Sequence, residues 1–335
     1  MAASGQNQRI QTLSKERGAF FKNNFFTGIA VSSLAFLAAS LIPLLGAFFF
    51  ILTPLPIIYY YSKTGRIQGL AIFLISLFLV AVVLTFSGSI ANLPFLFITG
   101  FLGLFLSEIF RRNYSIERTV VYPVTAVLML WCSFIVIQSL SAGEEPWRLV
   151  EDYIGRNIQE SIQFYAQLDI PPEQIDLLKD NFKQITNFFA NIFPALVLVS
   201  ASFIVWLNIL AAREIFQRTG MLWYPDFGDL SRWKAPEGLI WLLITAGGML
   251  LVPVSLARIV SLNLVIVCLF VYLLQGLSII SFLFKTKNVH RSFRILCYFL
   301  IFAQQYIILL LVAVGVFDLW VDFRKFIKPV TYSTS

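Results

Sequence analysis

Residues 67–86 read IQGLAIFLISLFLVAVVLTF, twenty positions without a charged side chain. As an α-helix this run is about 30 Å long, the thickness of the hydrocarbon layer of a bilayer. It is apolar on every face, so no side of it can be turned to water. Such a helix sits in the core of a large protein or in lipid. Composition decides between the two. Of 335 residues 58% are hydrophobic and 13% charged, against roughly 25% charged in ordinary soluble domains. A single soluble core of this size cannot hide that much apolar surface, so lipid takes up the excess. The 34 phenylalanines and 7 tryptophans suit contact with acyl chains and headgroups.

Working outward, similar runs lie at about 92–110, 119–140, 188–212, 238–254, 259–284 and 295–316. Upstream, the stretch from Phe25 to Tyr61 is nearly twice the length of one span and is broken around Pro43 to Gly46, which predicts a helical hairpin. Its second arm carries Pro54 and Pro56, which bend it or make it partly re-entrant. The expected fold is therefore all-α, a polytopic bundle of about nine spans (eight or nine). A basic leader over 1–24 precedes an N-terminal bundle of about five spans over 25–140. An amphipathic insert over 141–187, a C-terminal bundle of about four spans over 188–316 and an interfacial tail over 317–335 follow. The first apolar run is too long for the core of a cleaved signal and reads as an anchor.

Charge orients these segments. Basic residues collect in the leader, at Lys63 and Arg66, at Arg111, Arg112 and Arg118, from Arg213 to Lys234, and from Lys285 to Arg294. They alternate with the near-neutral turn at Ser87–Asn92 and with an acidic insert, as expected of basic loops kept in the cytoplasm. Nine crossings place the tail outside, yet Arg324, Lys325 and Lys328 lie there. Either the charge rule yields at that end, or one span is not a full crossing.

Within the insert, Val150, Ile154, Ile158, Ile162 and Tyr165 recur at helical spacing, and so do Ile175, Leu178, Phe182, Ile185 and Phe189. Two amphipathic helices are expected, either as a lid over an outward-facing cavity or as a hairpin lying on the membrane surface. Between Glu144 and Lys183 nine acidic residues face four basic ones. The loop from Arg218 to Trp241 carries Trp223, Tyr224, Phe227 and Trp233, an aromatic belt at the headgroups or a docking surface.

Most enzymatic chemistry lacks its residues. The one histidine, His290, lies in a basic loop, so clustered histidine metal sites cannot form within the chain. Cys132, Cys268 and Cys297 are far apart and sit in apolar runs, which argues against a disulfide framework or a zinc site. No phosphate loop, nucleophile elbow or pair of acids inside a span is present. No enzyme activity, metal or cofactor is expected. Nucleic-acid binding is excluded for want of a basic-aromatic patch. The spans hold almost no ionisable group, which disfavours a carrier driven by a proton or sodium relay.

Uncharged polar groups do occur at depth. Gln304, Gln305 and Tyr306 lie near the middle of the last run, and Gln275 lies in the run before it. A glutamine in hydrocarbon needs a partner, so these side chains are expected to face the protein interior. They form either a pocket for a small polar or aromatic ligand or interhelical hydrogen bonds that hold the bundle. Ala35 and Ala39, with Gly28 and Ser32, make a small-residue face for packing within the chain or against another subunit. Asp318 and Asp322, one helical turn apart, precede Arg324 and Lys325. This is an interfacial helix end with weak ion pairs or a docking site.

The run Gln275-Gly276, then a basic loop, then Gly315-Val316-Phe317-Asp318-Leu319-Trp320-Val321-Asp322-Phe323-Arg324-Lys325 resembles the closing signature of the YybS-like family of bacterial membrane proteins. The Pro54-Leu55-Pro56 arm and the run Arg232-Trp233-Lys234-Ala235-Pro236 are similar to that family too. The resemblance implies a multi-pass protein of the bacterial cytoplasmic membrane with no established activity to carry over. More distantly it implies kinship with the substrate-capture subunits of energy-coupling factor transporters. Those subunits bind a small molecule in a helix bundle and depend on a membrane coupling protein and ATPases. Their first helix meets the partner through an Ala-x-x-x-Ala face, which Ala35 and Ala39 match. The extra spans and the acidic insert depart from that pattern. A capture subunit is one expectation; a non-transporting scaffold that engages envelope or division machinery is the other.

Overall fold

Long apolar runs leave the backbone few ways to satisfy its polar groups away from water, and the α-helix is the local one. The computed structural model describes residues 23–42, 46–168, 170–221 and 225–327, and among these it contains helices, turns and no strand. In chain order the helices are α1 (Asn23–Leu41), α2 (Gly46–Leu52), α3 (Pro54–Thr64), α4 (Arg66–Phe86), α5 (Leu93–Phe110) and α6 (Ile116–Ala142). They continue with α7 (Pro146–Tyr165), α8 (Pro172–Asp180), α9 (Phe182–Thr219), α10 (Leu239–Met249), α11 (Ser255–Thr286), α12 (Arg291–Ala303) and α13 (Gln305–Val321).

Six of them are long and apolar enough to cross a membrane: α1, α4, α5 with the turn before it, α6, α9 and α11. The bent pair α12–α13 makes a seventh if it is one span. The fold is thus a multi-helix membrane bundle, and the shortfall from nine has local causes. Residues 46–64 are divided at Thr53, because Pro54 cannot donate to the helical ladder and its ring crowds the preceding turn. The run 238–254 is helical only over α10, which ends after the weak helix formers Gly247 and Gly248, shortly before Pro253. The run 295–316 is cut at Gln304, whose backbone is extended.

The second insert helix also differs from expectation. It is divided at Asn181, and its later half runs without a break into the following span, so that α9 has 38 residues. On α7 the side chains of Val150, Ile154 and Ile162 are buried as the spacing predicts, whereas Tyr165 is exposed. Val150 and Ile154 pack with Ala190 of α9, flanked by Ile135 and Phe193. Protein therefore covers this apolar stripe.

The chain forms two compact units, neither continuous in sequence: Met1–Phe134 with Ser200–Asp226, and Ile135–Val199 with Phe227–Ser335. The linear division at 140 and 187 cuts the chain differently, because α6 and α9 each contribute to both units. The core of the first unit gathers Phe36, Ile57, Ile72, Phe73, Val80, Leu84 and Leu96. A Cβ on Gly100 would strike the Phe73 ring, so that glycine sets how closely the helices approach. The small-residue face of α1 points into this unit: Gly28 lies against Ile72 and Tyr60, Ser32 is buried, Ala39 packs on the core, and Ala35 is half-buried. Only 33% of the apolar window of α4 is buried, which leaves most of that helix for lipid.

Candidate functional site

In the second unit, α11 and α13 cross at two glycines. A Cβ on Gly276 would collide with the Leu311 carbonyl oxygen, and one on Gly315 with the Tyr272 carbonyl oxygen. Small residues at such a crossing let backbones touch. Asp318, one turn beyond Gly315, is thereby carried to Gln275, and both side chains are fully buried.

A buried carboxylate has to be paired and hydrogen-bonded, and this one is. Asp318 Oδ2 accepts from Gln275 Nε2 at 2.9 Å and from Arg324 Nη1 at 2.5 Å. Its Oδ1 accepts from the Phe323 amide at 2.9 Å. The last two donors reach it because α13 ends at Asp322 in a left-handed turn (φ 47°, ψ 69°), after which Phe323–Phe326 form a short 3-10 helix. Arg324 is itself enclosed, its side chain 9% exposed. Nη2 donates to the Trp233 carbonyl at 2.9 Å and to Ser278 Oγ at 2.6 Å, and Nε donates to the Ser231 carbonyl at 3.3 Å. Gln275 Oε1 accepts from the Ala235 amide at 3.1 Å. One buried ion pair thus clasps together α11, α13, the chain after α13 and the segment Ser231–Ala235.

Two carboxylates lie on the rim. Asp229 receives Lys285 Nζ at 2.8 Å and the Ser231 amide and hydroxyl. Partial burial alone raises its pKa, but Lys285 and Ser231 outweigh that and hold it below the usual carboxylate range. Asp322 is also held low: Lys234 at 3.2 Å and Lys325 at 3.4 Å overcome the opposing effect of burial.

The other polar triple lies elsewhere. Gln304, Gln305 and Tyr306 stand at the corner where α12 and α13 bend by 101°. All three are exposed, Tyr306 at 75%.

The family model described as "Predicted membrane protein (DUF2232)" matches residues 30–319. The chain belongs to this family. It is also similar to a relative from Bacillus subtilis (strain 168), described as "Uncharacterized protein YybS". The two are 21% identical over 316 residues, which covers 90% of this chain and 96% of the relative. No solved structure matches the chain. The family match takes in Gln275, Gly276, Gly315 and Asp318 and stops before Arg324.

The expected site residues therefore separate into two groups. Gln275, Asp318 and Arg324 meet in the clasp. Asp322 joins its rim, and Trp320 on the same helix points outward. The reading of Asp318 as part of an interfacial helix end with weak ion pairs is corrected: the helix crossing encloses its side chain completely. The expectation that Gln304, Gln305 and Tyr306 face the protein interior is corrected as well, because the extended backbone at Gln304 turns the run aside before it can continue as one helix.

Sequence reading missed Ser231, Trp233, Ala235 and Ser278 as clasp partners. Ser278 carried a signal, since it lies one helical turn after Gln275; the carbonyls of Ser231 and Trp233 carried none. Other deep amides repair helices. Asn263 Nδ2 donates to the Asn191 carbonyl at 2.7 Å and its Oδ1 accepts from the Ala195 amide at 2.8 Å, bridging the ladder beside Pro194. Asn208 Nδ2 caps the Ile51 carbonyl near the Pro54 break at 2.8 Å. Among the described residues no three His, Cys, Asp or Glu side chains gather as metal ligands would.

Proposed function

We propose that the chain is a transport-related membrane subunit of the substrate-capture kind, which holds a small polar or aromatic molecule at the corner between α12 and α13. The corner itself carries this reading. An otherwise apolar stretch breaks there, and Gln304, Gln305 and Tyr306 stand exposed at the break. Glutamine amides at membrane depth need hydrogen-bond partners. Interrupted helices whose backbone and polar side chains line a cavity are a recurrent way for transporters to hold substrates.

The driving force, in this proposal, comes from partners. The buried carboxylate Asp318 is engaged with Gln275, Arg324 and Phe323, and in this proposal it holds the helices together. The class of partner in this proposal, a membrane coupling protein with ATPases, is the one implied by the resemblance read from the sequence. Because Gly28, Ser32 and Ala39 pack inward, the half-buried Ala35 is what α1 leaves of its small-residue face for such a contact.

Native mass spectrometry of the protein extracted gently from its own membrane tests the proposal. A retained small molecule that disappears in the double variant Gln304→Leu, Gln305→Leu is the expected result. A wild-type chain carrying neither a small molecule nor an ATPase module sinks it. One observation favours a scaffold instead: the segment Ser231–Ala235 is pinned by the clasp while Arg232 stays 73% exposed. On that reading Arg232→Ala impairs function in the cell and the glutamine pair can be replaced without effect.

A further inference from the structure

We infer that α12 and α13 form a re-entrant hairpin whose two feet stand on the same, cytoplasmic face of the membrane, with Gln304, Gln305 and Tyr306 at its tip within the membrane. The feet are tied to one short segment. At the first foot, Lys285 Nζ meets Asp229 Oδ2 at 2.8 Å. Arg294 of α12 donates back to the Val289 and Phe284 carbonyls at 2.7 and 3.1 Å, which holds the start of α12 at the end of α11. At the second foot, Arg324 donates to the carbonyls of Ser231 and Trp233, and Lys234 pairs with Asp322.

Asp229 and Ser231 are two residues apart and joined by their own hydrogen bonds. Two residues of chain span at most about 7 Å, so Lys285 and Arg324 are separated by far less than the ~30 Å hydrocarbon core. An odd number of crossings between them is therefore excluded. The Lys285–Asp229 contact likewise requires an even number of crossings between those two residues, so the run 238–254, α10 with its non-helical flank, crosses beside α11. The helices α12 and α13 have 13 and 17 residues, about 20 and 25 Å, and only Gln304 joins them, so no flanking chain at the corner extends either one across the ~30 Å core. The pair goes in and comes back.

The basic residues name the face. Arg232, Lys234, Lys285, Lys287, Arg291, Arg294, Arg324 and Lys325 cluster around the two feet, and such an excess marks the cytoplasmic side. The inference does not depend on the corner binding a ligand. It also removes the conflict between nine crossings and a basic tail, because the chain after α13 returns to the side from which α12 started.

Single cysteines placed at Asn288, Phe326, Gln304 and, as an external control, Gln167 of the insert test this in a background with the three native cysteines replaced. Intact cells and inverted vesicles are treated with a membrane-impermeant maleimide. The expected result is that N288C and F326C label only in inverted vesicles, Q167C labels only in intact cells, and Q304C is never labelled from outside. Labelling of F326C in intact cells puts the feet on opposite faces and overturns the inference. Labelling of Q304C in intact cells, with F326C still internal, shows two complete crossings and overturns it equally. Should the cysteine-free background misassemble, protease digestion of inverted vesicles carrying the native chain reads the same faces: cleavage after Lys285–Lys287 and after Arg324–Lys325 from the cytoplasmic side is expected, and protection of the second site overturns it.

Discussion

Replacing Arg324 by methionine keeps the side-chain volume and removes the charge that Asp318 was folded to meet. Asp318 is fully buried, and without Arg324 its carboxylate retains only Gln275 and the Phe323 amide. Breaking a buried pair by deleting one partner destabilises by about 3–5 kcal/mol, since an uncompensated charge remains. The reverse deletion is milder. In Asp318→Asn, Arg324 still donates to the Trp233 and Ser231 carbonyls and to Ser278 Oγ, so a loss of about 1–3 kcal/mol is expected. The double variant should fall short of the sum of the singles, with a coupling of about 0.5–3 kcal/mol, because the second change removes the charge that the first one stranded. Reversible unfolding in mixed detergent micelles, followed by tryptophan fluorescence, gives all three values. Strict additivity, or an Arg324→Met cost below about 1 kcal/mol, would show that the clasp is not the closed, desolvated pair described here.

Three further outcomes follow from the same geometry. Gly315→Val drives a branched side chain into the Tyr272 carbonyl. It should part α11 from α13 at a cost of at least about 1–3 kcal/mol and loosen the clasp, visible as faster amide exchange at Phe323. Asn263→Leu strands the Ala195 amide and the Asn191 carbonyl beside Pro194. A loss of about 1–3 kcal/mol is expected, with Asn263→Gln recovering little because its longer chain misplaces the amide. Asp229 and Asp322 have folded pKa values below their unfolded ones, so the stability they add is fully present above the unfolded value of about 3.9 and is lost as pH falls through the folded values. Protease cleavage around Arg232 should stay constant from neutral pH down to about pH 4 and rise below it. A rise centred near neutral pH would contradict the pairing.

Much was legible in the chain as a string. Apolar runs such as 67–86 fix helices and lipid contact, because hydrocarbon offers the backbone no other partner. The spacing of Val150, Ile154 and Ile162 fixes the buried stripe of α7, since helical periodicity is a local property. The signature from Gly315 to Lys325 could be seen as distinctive. Its meaning could not, because burial of Asp318 depends on two glycines 39 residues apart meeting at a crossing. Gln275 and Gln304 look alike in sequence, both amides within apolar runs. Tertiary structure separates them: one is enclosed at a helix crossing, and the other stands exposed at a bend. Composition determined that this protein lives in a membrane. Only the folded chain decided which polar groups are spent on holding it together, because that depends on contacts between segments far apart in sequence, which local pattern does not encode.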